Sequence, residues 1–307
     1  MMLPILLSVI FIILLVYGAV IIVICLVILY PKVYSVEASR TLEAEKHHVD
    51  MSDYDRMVKE EVWINSPHGY PLFGIYLPQA GCSRTVILSH GITNSRYGVV
   101  KYIHLFRKRG FNVLLYDLRN HGLSGGRRTT FGYYEKDDLR AWVDWAFERL
   151  GPGGLVGVMG ESLGAAVTLL AAEEDPRLSF CLADCPYNDF YGLLAYRLQV
   201  DAPYVPQWLL LKPVTWSIQR MSGMAVKEVS PLQKIARLEM PLFLAHGQAD
   251  HYIPPAMSQA LYEKKKLGIC HLYLAAGARH AYSININPAE YDRRVGLFLK
   301  EAGFSEN

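Results

Sequence analysis

The stretch Val156–Val167 reads VGVMGESLGAAV, one serine set between two glycines, after an apolar run and before an alanine-rich one. The pattern Gly160-Glu161-Ser162-Leu163-Gly164 decides little by itself, because G-x-S-x-G arises by chance in roughly one chain in ten of this length. Its flanks decide more. Leu155–Met159 reads as a short buried strand and Leu163–Glu174 as a helix of good formers. A strand turning directly into a helix holds its serine on a strained backbone with the hydroxyl above the sheet. Glycines two positions either side let strand and helix approach.

Outward from this turn, strands and helices alternate. Strands are expected at Glu61–Asn65, Leu72–Leu77, Thr85–Ser89, Phe111–Asp117, Ser179–Ala183, Pro241–Ala245 and Cys270–Leu274, with helices at Tyr134–Leu150, Pro255–Lys266 and Pro288–Glu301. That order predicts an α/β fold, a mostly parallel sheet with helices on both faces. Between Pro186 and Leu238 the rhythm breaks into an aromatic-rich stretch, read as a short helical cap inserted at about 186–238. Asn188 or Asp189 caps one helix running to about Gln199, and Pro213 starts another. Tyr187, Phe190, Tyr191 and the region of Trp208 are expected to offer apolar surface beside a pocket.

Ligands of such a sheet gather beyond the carboxyl ends of its strands. The loops there hold Ser162, then His90-Gly91-Ile92-Thr93, then Asp250 in HGQADHYIPP, and His280 in AAGARHAYS. A serine hydroxyl is a poor nucleophile unless an imidazole takes its proton, and the imidazole needs a carboxylate to fix its tautomer and stabilise its charge.

Taken jointly, the His90-Gly91 turn, the DLRNHGLSGG stretch at Asp117–Gly126, GESLG, the HGQAD turn and Arg279-His280 resemble the α/β-hydrolase superfamily over about Val58–Phe304. Among its branches the chain looks most like bacterial membrane-anchored esterase or lipase-like serine hydrolases with a short cap. The resemblance implies Ser162 as nucleophile, Asp250 as acid, His280 as base, and oxyanion donors from the backbone N–H of Ile92 and Leu163. It implies no metal and no organic cofactor. The expected reaction is hydrolysis of carboxylic esters of short to medium acyl length, with lipid-like esters as a variant. A serine peptidase on the same machinery and a non-catalytic binding or scaffold protein on the same fold stand as alternatives.

Competing residues have competing explanations. His90, His121 and His246 all precede glycine and read as braces of turns; His271 falls inside a strand, and His251 sits beside the acid itself. Asp184, after its own strand, is the alternative acid. Asp117 and Arg119 are expected to hold their loop, Glu161 to lie at the surface or just behind the serine, and Arg127-Arg128 to be solvated.

The 307 residues are 51% hydrophobic and 20% charged with a net charge of +2, which fits one sizeable domain plus something apolar. No basic block, zinc-ligand spacing or RNA-binding signature appears, so nucleic acid is not an expected partner. The apolar part is Ile5–Leu29, which carries no charge and would span about 37 Å as a helix. A long apolar core with no preceding cation reads as an uncleaved transmembrane anchor (1–31) rather than a signal peptide, although Val36-Glu37-Ala38 resembles a cleavage site. Lys32, Arg40 and Lys46 follow the anchor, favouring a catalytic domain on the cytoplasmic face. Cys82, Cys181, Cys185 and Cys270 lack a disulfide spacing, as expected in a reducing compartment. Residues 32–57, with His47-His48, read as a charged juxtamembrane linker ahead of a hydrolase domain at 58–307. A chain cut near Val49 is expected to be soluble and active.

Overall fold

The computed structural model describes residues 2–45 and 49–304; His47-His48 and Lys46 lie outside them. Among the described residues eight strands form one sheet: β1 (Glu60–Asn65), β2 (Pro71–Leu77), β3 (Arg84–Ser89), β4 (Asn112–Tyr116), β5 (Leu155–Glu161), β6 (Cys181–Asp184), β7 (Leu242–Gly247) and β8 (Cys270–Ala275). Their spatial order is β1-β2-β4-β3-β5-β6-β7-β8, and only β2 runs antiparallel to its neighbours. The expected α/β architecture is therefore present. Alternate residues feed opposite faces, as a pleated strand requires. Val113 and Leu115 of β4 join a layer with Phe106 and Phe298, while Leu114 and Tyr116 join one with Trp142 and Leu169.

Among the described residues twelve α-helices accompany the sheet: α1 (Met2–Leu29), α2 (Val36–Glu45), α3 (Met51–Arg56), α4 (Ile103–Arg107), α5 (Glu135–Leu150), α6 (Leu163–Glu174), α7 (Phe190–Asp201), α8 (Gln207–Ser222), α9 (Pro231–Lys234), α10 (Ala256–Lys264), α11 (Ser283–Ile286) and α12 (Pro288–Glu301). The chain leaves β3 to one side and returns at β5 on the other, so the switch point of the sheet lies between these strands. The loops after β3 and β5 consequently meet, and they carry His90-Gly91 and Ser162.

Three elements depart from the sequence reading. The segment read as an aperiodic linker contains α2 and α3, whose Ser39, Glu43, Met51 and Tyr54 are buried against the domain. The buried face of α2 is a serine and a glutamate, so no apolar stripe marks it. A short helical stretch, Arg96–Tyr102 followed by α4, bridges β3 and β4 where none was expected. Finally, Pro213 does not open a helix but lies inside α8, which starts at Gln207 and stops at Gly223 in the left-handed conformation. Its missing N–H frees the carbonyl of Leu209, four residues earlier, and the Tyr17 hydroxyl of α1 donates to that oxygen.

Candidate active site

Ser162 sits at the junction of β5 and α6 with φ 56° and ψ −115°, a conformation that L-residues rarely adopt. The turn is held by its own N–H, which donates to the carbonyl of Asp184 at 2.8 Å. A Cβ on Gly160 would lie 2.1 Å from the carbonyl oxygen of Gly164, and one on Gly164 would lie 2.1 Å from that of Ser89. Both glycines are thus required by close backbone approach, and the serine between them is pressed above the strand ends.

His280, in the loop after β8, places Nε2 2.9 Å from the Ser162 Oγ and Nδ1 2.6 Å from Asp250 Oδ2. The Nδ1–H donates to the carboxylate, leaving Nε2 free to accept the serine proton. Asp250, in the loop after β7, is buried; its Oδ1 accepts the N–H groups of Tyr252 and Ile253 at 2.8 and 2.9 Å. Burial by itself would raise this carboxyl, but hydrogen bonds from His246, His280 and the Ile253 N–H hold it well below the usual carboxylate range. Ser162, His280 and Asp250 are therefore brought into one line. Asp184 is elsewhere: Ser283 donates to its Oδ1 at 2.8 Å and Tyr102 to its Oδ2 at 3.0 Å.

Leu163 is the first residue of α6, so its N–H has no acceptor within the helix. Ile92 follows Gly91, whose added Cβ would stand 3.4 Å from the Ser162 Cβ. Two histidines shape this loop. His90 donates from Nδ1 to Gly91 O at 2.7 Å and accepts the Leu118 N–H at Nε2 at 2.9 Å. His121 contacts Arg119 O at 2.8 Å and accepts the Thr93 N–H at 3.3 Å. Burial pushes both imidazoles below their ordinary range, so they are neutral braces. Asp117 performs the expected holding role, binding the Arg96 guanidinium at 2.6 Å and the Leu123 N–H at 2.9 Å.

Three contacts had no sequence signal or were misread. His246 is a brace of the acid rather than of a turn alone, with Nε2 3.2 Å from Asp250 Oδ2 and Nδ1 2.6 Å from the Ser258 hydroxyl. Glu161 takes the second of its two expected placements, buried behind the serine, where it pairs with Lys101 at 2.5 Å and accepts the Tyr102 hydroxyl at 2.7 Å. Burial alone would depress the Lys101 ammonium, but the carboxylates of Glu161 and Glu43 more than offset this and raise it. Lys101 also donates to the carbonyl of Ala281 at 3.0 Å, so one buried cation ties the residue before Ser162 to the residue after His280.

The family model described as the alpha/beta hydrolase fold matches residues 84–186. The chain is 38% identical to the uncharacterized protein YqkD of Bacillus subtilis (strain 168) over 259 residues, 84% of each chain. The chain belongs to the α/β-hydrolase fold family. Among solved members, the Pyrococcus furiosus esterase Pf2001 superposes with a TM-score of 0.67 at 29% identity, covering 82% of this chain and 96% of the esterase. The thermostable monoacylglycerol lipase of Bacillus sp. (strain H-257) is 22% identical over 252 residues, 71% of this chain and 91% of the lipase.

Two further placements bear on this α/β hydrolase. The ligand atoms of Cys185, Asp250 and His280 lie within 4.8 Å of one another. Burial pushes the Cys185 thiol well up, and the other two groups are bonded to each other, so the trio is poorly suited to hold a metal. Of the aromatics expected beside a pocket, Tyr191 is half-buried and lines a surface cavity with Lys212 and Trp216, while the others do not. Tyr187 and Phe190 are fully buried in the cap core, Phe190 stacked on Phe131 at 4.2 Å, and Trp208 faces outward.

Proposed function

We propose that this chain is a serine hydrolase that cleaves carboxylic esters through an acyl-enzyme. The observation that carries the reading is the continuous line from Ser162 Oγ through both nitrogens of His280 to a buried carboxylate of Asp250. As the Oγ attacks the ester carbonyl, its proton passes to His280 Nε2, and the charge formed on the carbonyl oxygen is met by the N–H groups of Ile92 and Leu163. The imidazolium then gives that proton to the departing alkoxide, releasing the alcohol. Water repeats the sequence on the acyl-enzyme, yielding the acid and free serine. Asp250 stays ionised throughout.

Likeness to an esterase and a monoacylglycerol lipase supports esters over amides, and short to medium acyl chains are the proposed substrates. Each methylene buried in the transition state contributes about 0.8 kcal/mol. kcat/KM over p-nitrophenyl esters should therefore peak between roughly two and eight carbons. A fluorophosphonate probe should label the wild-type chain and not Ser162→Ala. Labelling of that variant, or faster cleavage of aminoacyl amides than of every ester, would reject the reading.

We further infer that α1 anchors the domain in a bilayer, with the domain on the cytoplasmic face. An 18-residue window of it has a mean hydropathy of 3.4, and the side chains of residues 3–15 are exposed and almost wholly apolar. Carbonate extraction of membranes tests the anchor, and protease added to intact cells tests the side.

A further inference from the structure

α1 and α8 lie side by side. Ile21, Cys25 and Leu29 of α1 are buried in one cluster with Leu210, Val214 and Ile218 of α8. The Tyr17 hydroxyl takes the carbonyl that Pro213 leaves free, and the Cys25 thiol meets the carbonyl of Val214. Satisfying a proline-freed carbonyl from a neighbouring helix is the arrangement that holds where water cannot reach.

The register of this contact fixes a depth. A bilayer core of about 30 Å needs about 20 helical residues. Any 20 consecutive residues of α1 include Tyr17, which is bonded to Leu209 of α8. For α1 to cross, Tyr17 and the first turns of α8 must lie below the boundary of the acyl layer. The chain there is suited to it: residues 202–211, APYVPQWLLL, carry no charge, and Tyr204 at the tip is 97% exposed. Along the outward face of α8, at helical spacing, stand Trp208 (70% exposed), Lys212, Trp216 (64% exposed) and Arg220, whose guanidinium lies 5.8 Å from the Trp216 ring. Tryptophans alternating with cations are what the headgroup region favours, ring at the acyl boundary and charge at the phosphates.

We propose that the outer face of α8, from Trp208 to Arg220, is a lipid-binding surface that seats the cap in the interface of the bilayer α1 crosses. The proposal rests on the anchor reading above, and its test separates the two. The full-length chain is reconstituted in vesicles of phosphatidylcholine and phosphatidylglycerol, with and without phosphatidylcholine brominated near the glycerol end of its acyl chains. Tryptophan emission of the wild type should be quenched by the brominated lipid, and Trp208→Phe/Trp216→Phe should lose most of that quenching while staying resistant to carbonate. Equal quenching in the double variant, or none in a carbonate-resistant wild type, overturns the proposal and leaves the anchor standing. Shielding of both tryptophans from brominated lipid and from aqueous acrylamide, with cross-linked dimers, assigns the face to a second copy and also overturns it. Extraction of the wild type by carbonate removes the anchor and the proposal together.

Discussion

Tyr34 donates its backbone N–H to the carbonyl of Thr93 at 2.8 Å, the residue after Ile92. The chain that follows α1 is thereby bonded to the loop assigned as an oxyanion donor, and Asn94 of that loop donates to Glu43 of α2 at 2.7 Å. Thr93 itself has a positive φ of 70°, so its conformation depends on such support. Tyr34→Pro removes the N–H, and the Tyr34 side chain that it also replaces is exposed. We expect kcat to fall about tenfold at unchanged KM, a fraction of the loss of a whole oxyanion donor, whereas Tyr34→Ala keeps full activity. On the same grounds a chain cut near Val49, earlier expected to be active, should lose more than Tyr34→Pro, because it also lacks Glu43.

The two aspartates separate cleanly. Asp250→Asn takes the carboxylate from His280 Nδ1 and should lower kcat on the order of 10³–10⁴-fold with the fold retained. Asp184→Asn disturbs the bonds from Ser283 and Tyr102 and should cost about 1–3 kcal/mol of stability with activity within a few-fold. Ester kinetics beside urea unfolding of both variants checks the assignment, and a larger kinetic loss at Asp184 reverses it.

Lys101 and Glu161 form a buried pair behind the serine, so removing one partner strands the other. Lys101→Met should destabilise the protein by about 3–5 kcal/mol, and Lys101→Met/Glu161→Gln should recover most of it. Denaturant midpoints of the two single variants and the double variant measure the coupling. Additive losses would show that the pair contributes no interaction energy.

His90 and His121 give the fold an acid-side weakness. Their imidazoles titrate below the ordinary value of about 6.5 in the folded state, so the unfolded chain binds more protons as pH falls. Stability is full above pH ~6.5 and declines below it, by at most about 1.4 kcal/mol per pH unit for each histidine. Urea unfolding between pH 7.5 and 5.5 should show this slope, and His90→Asn should flatten it by about half. An unchanged slope would mean that His90 is not a source of it.

The sheet was legible because its inner strands are short, wholly buried apolar runs. The serine turn was legible because Gly160 and Gly164 answer to backbone contacts only glycine permits. α2 was invisible for the opposite reason: what it buries is the Ser39 hydroxyl and the Glu43 carboxylate, the latter matched to Asn94 far along the chain. Lys101 carries no local signal, since Glu161 and Ala281 are 60 and 180 positions away and meet it only when β5 and β8 lie in one sheet. The i,i+4 spacing of His246 and Asp250 across the end of β7 was available as a clue that the two touch. Tyr187 and Phe190 misled because burial and lining a pocket draw on the same residue types.

Pro213 and Tyr17 amount to one inherited trait. A proline in the middle of α8 is a liability unless a hydroxyl reaches its orphaned carbonyl, and a tyrosine in an otherwise apolar span is a liability unless it has that carbonyl to bond. Neither residue is expected to drift alone. In a lineage that replaces the proline by a residue with an N–H, position 17 is released to become another leucine or valine, and the reverse order of changes passes through a weakened intermediate. Exchanging α1 for an unrelated leucine-rich span would keep the protein at the membrane and still break that trait, so the two positions should change together.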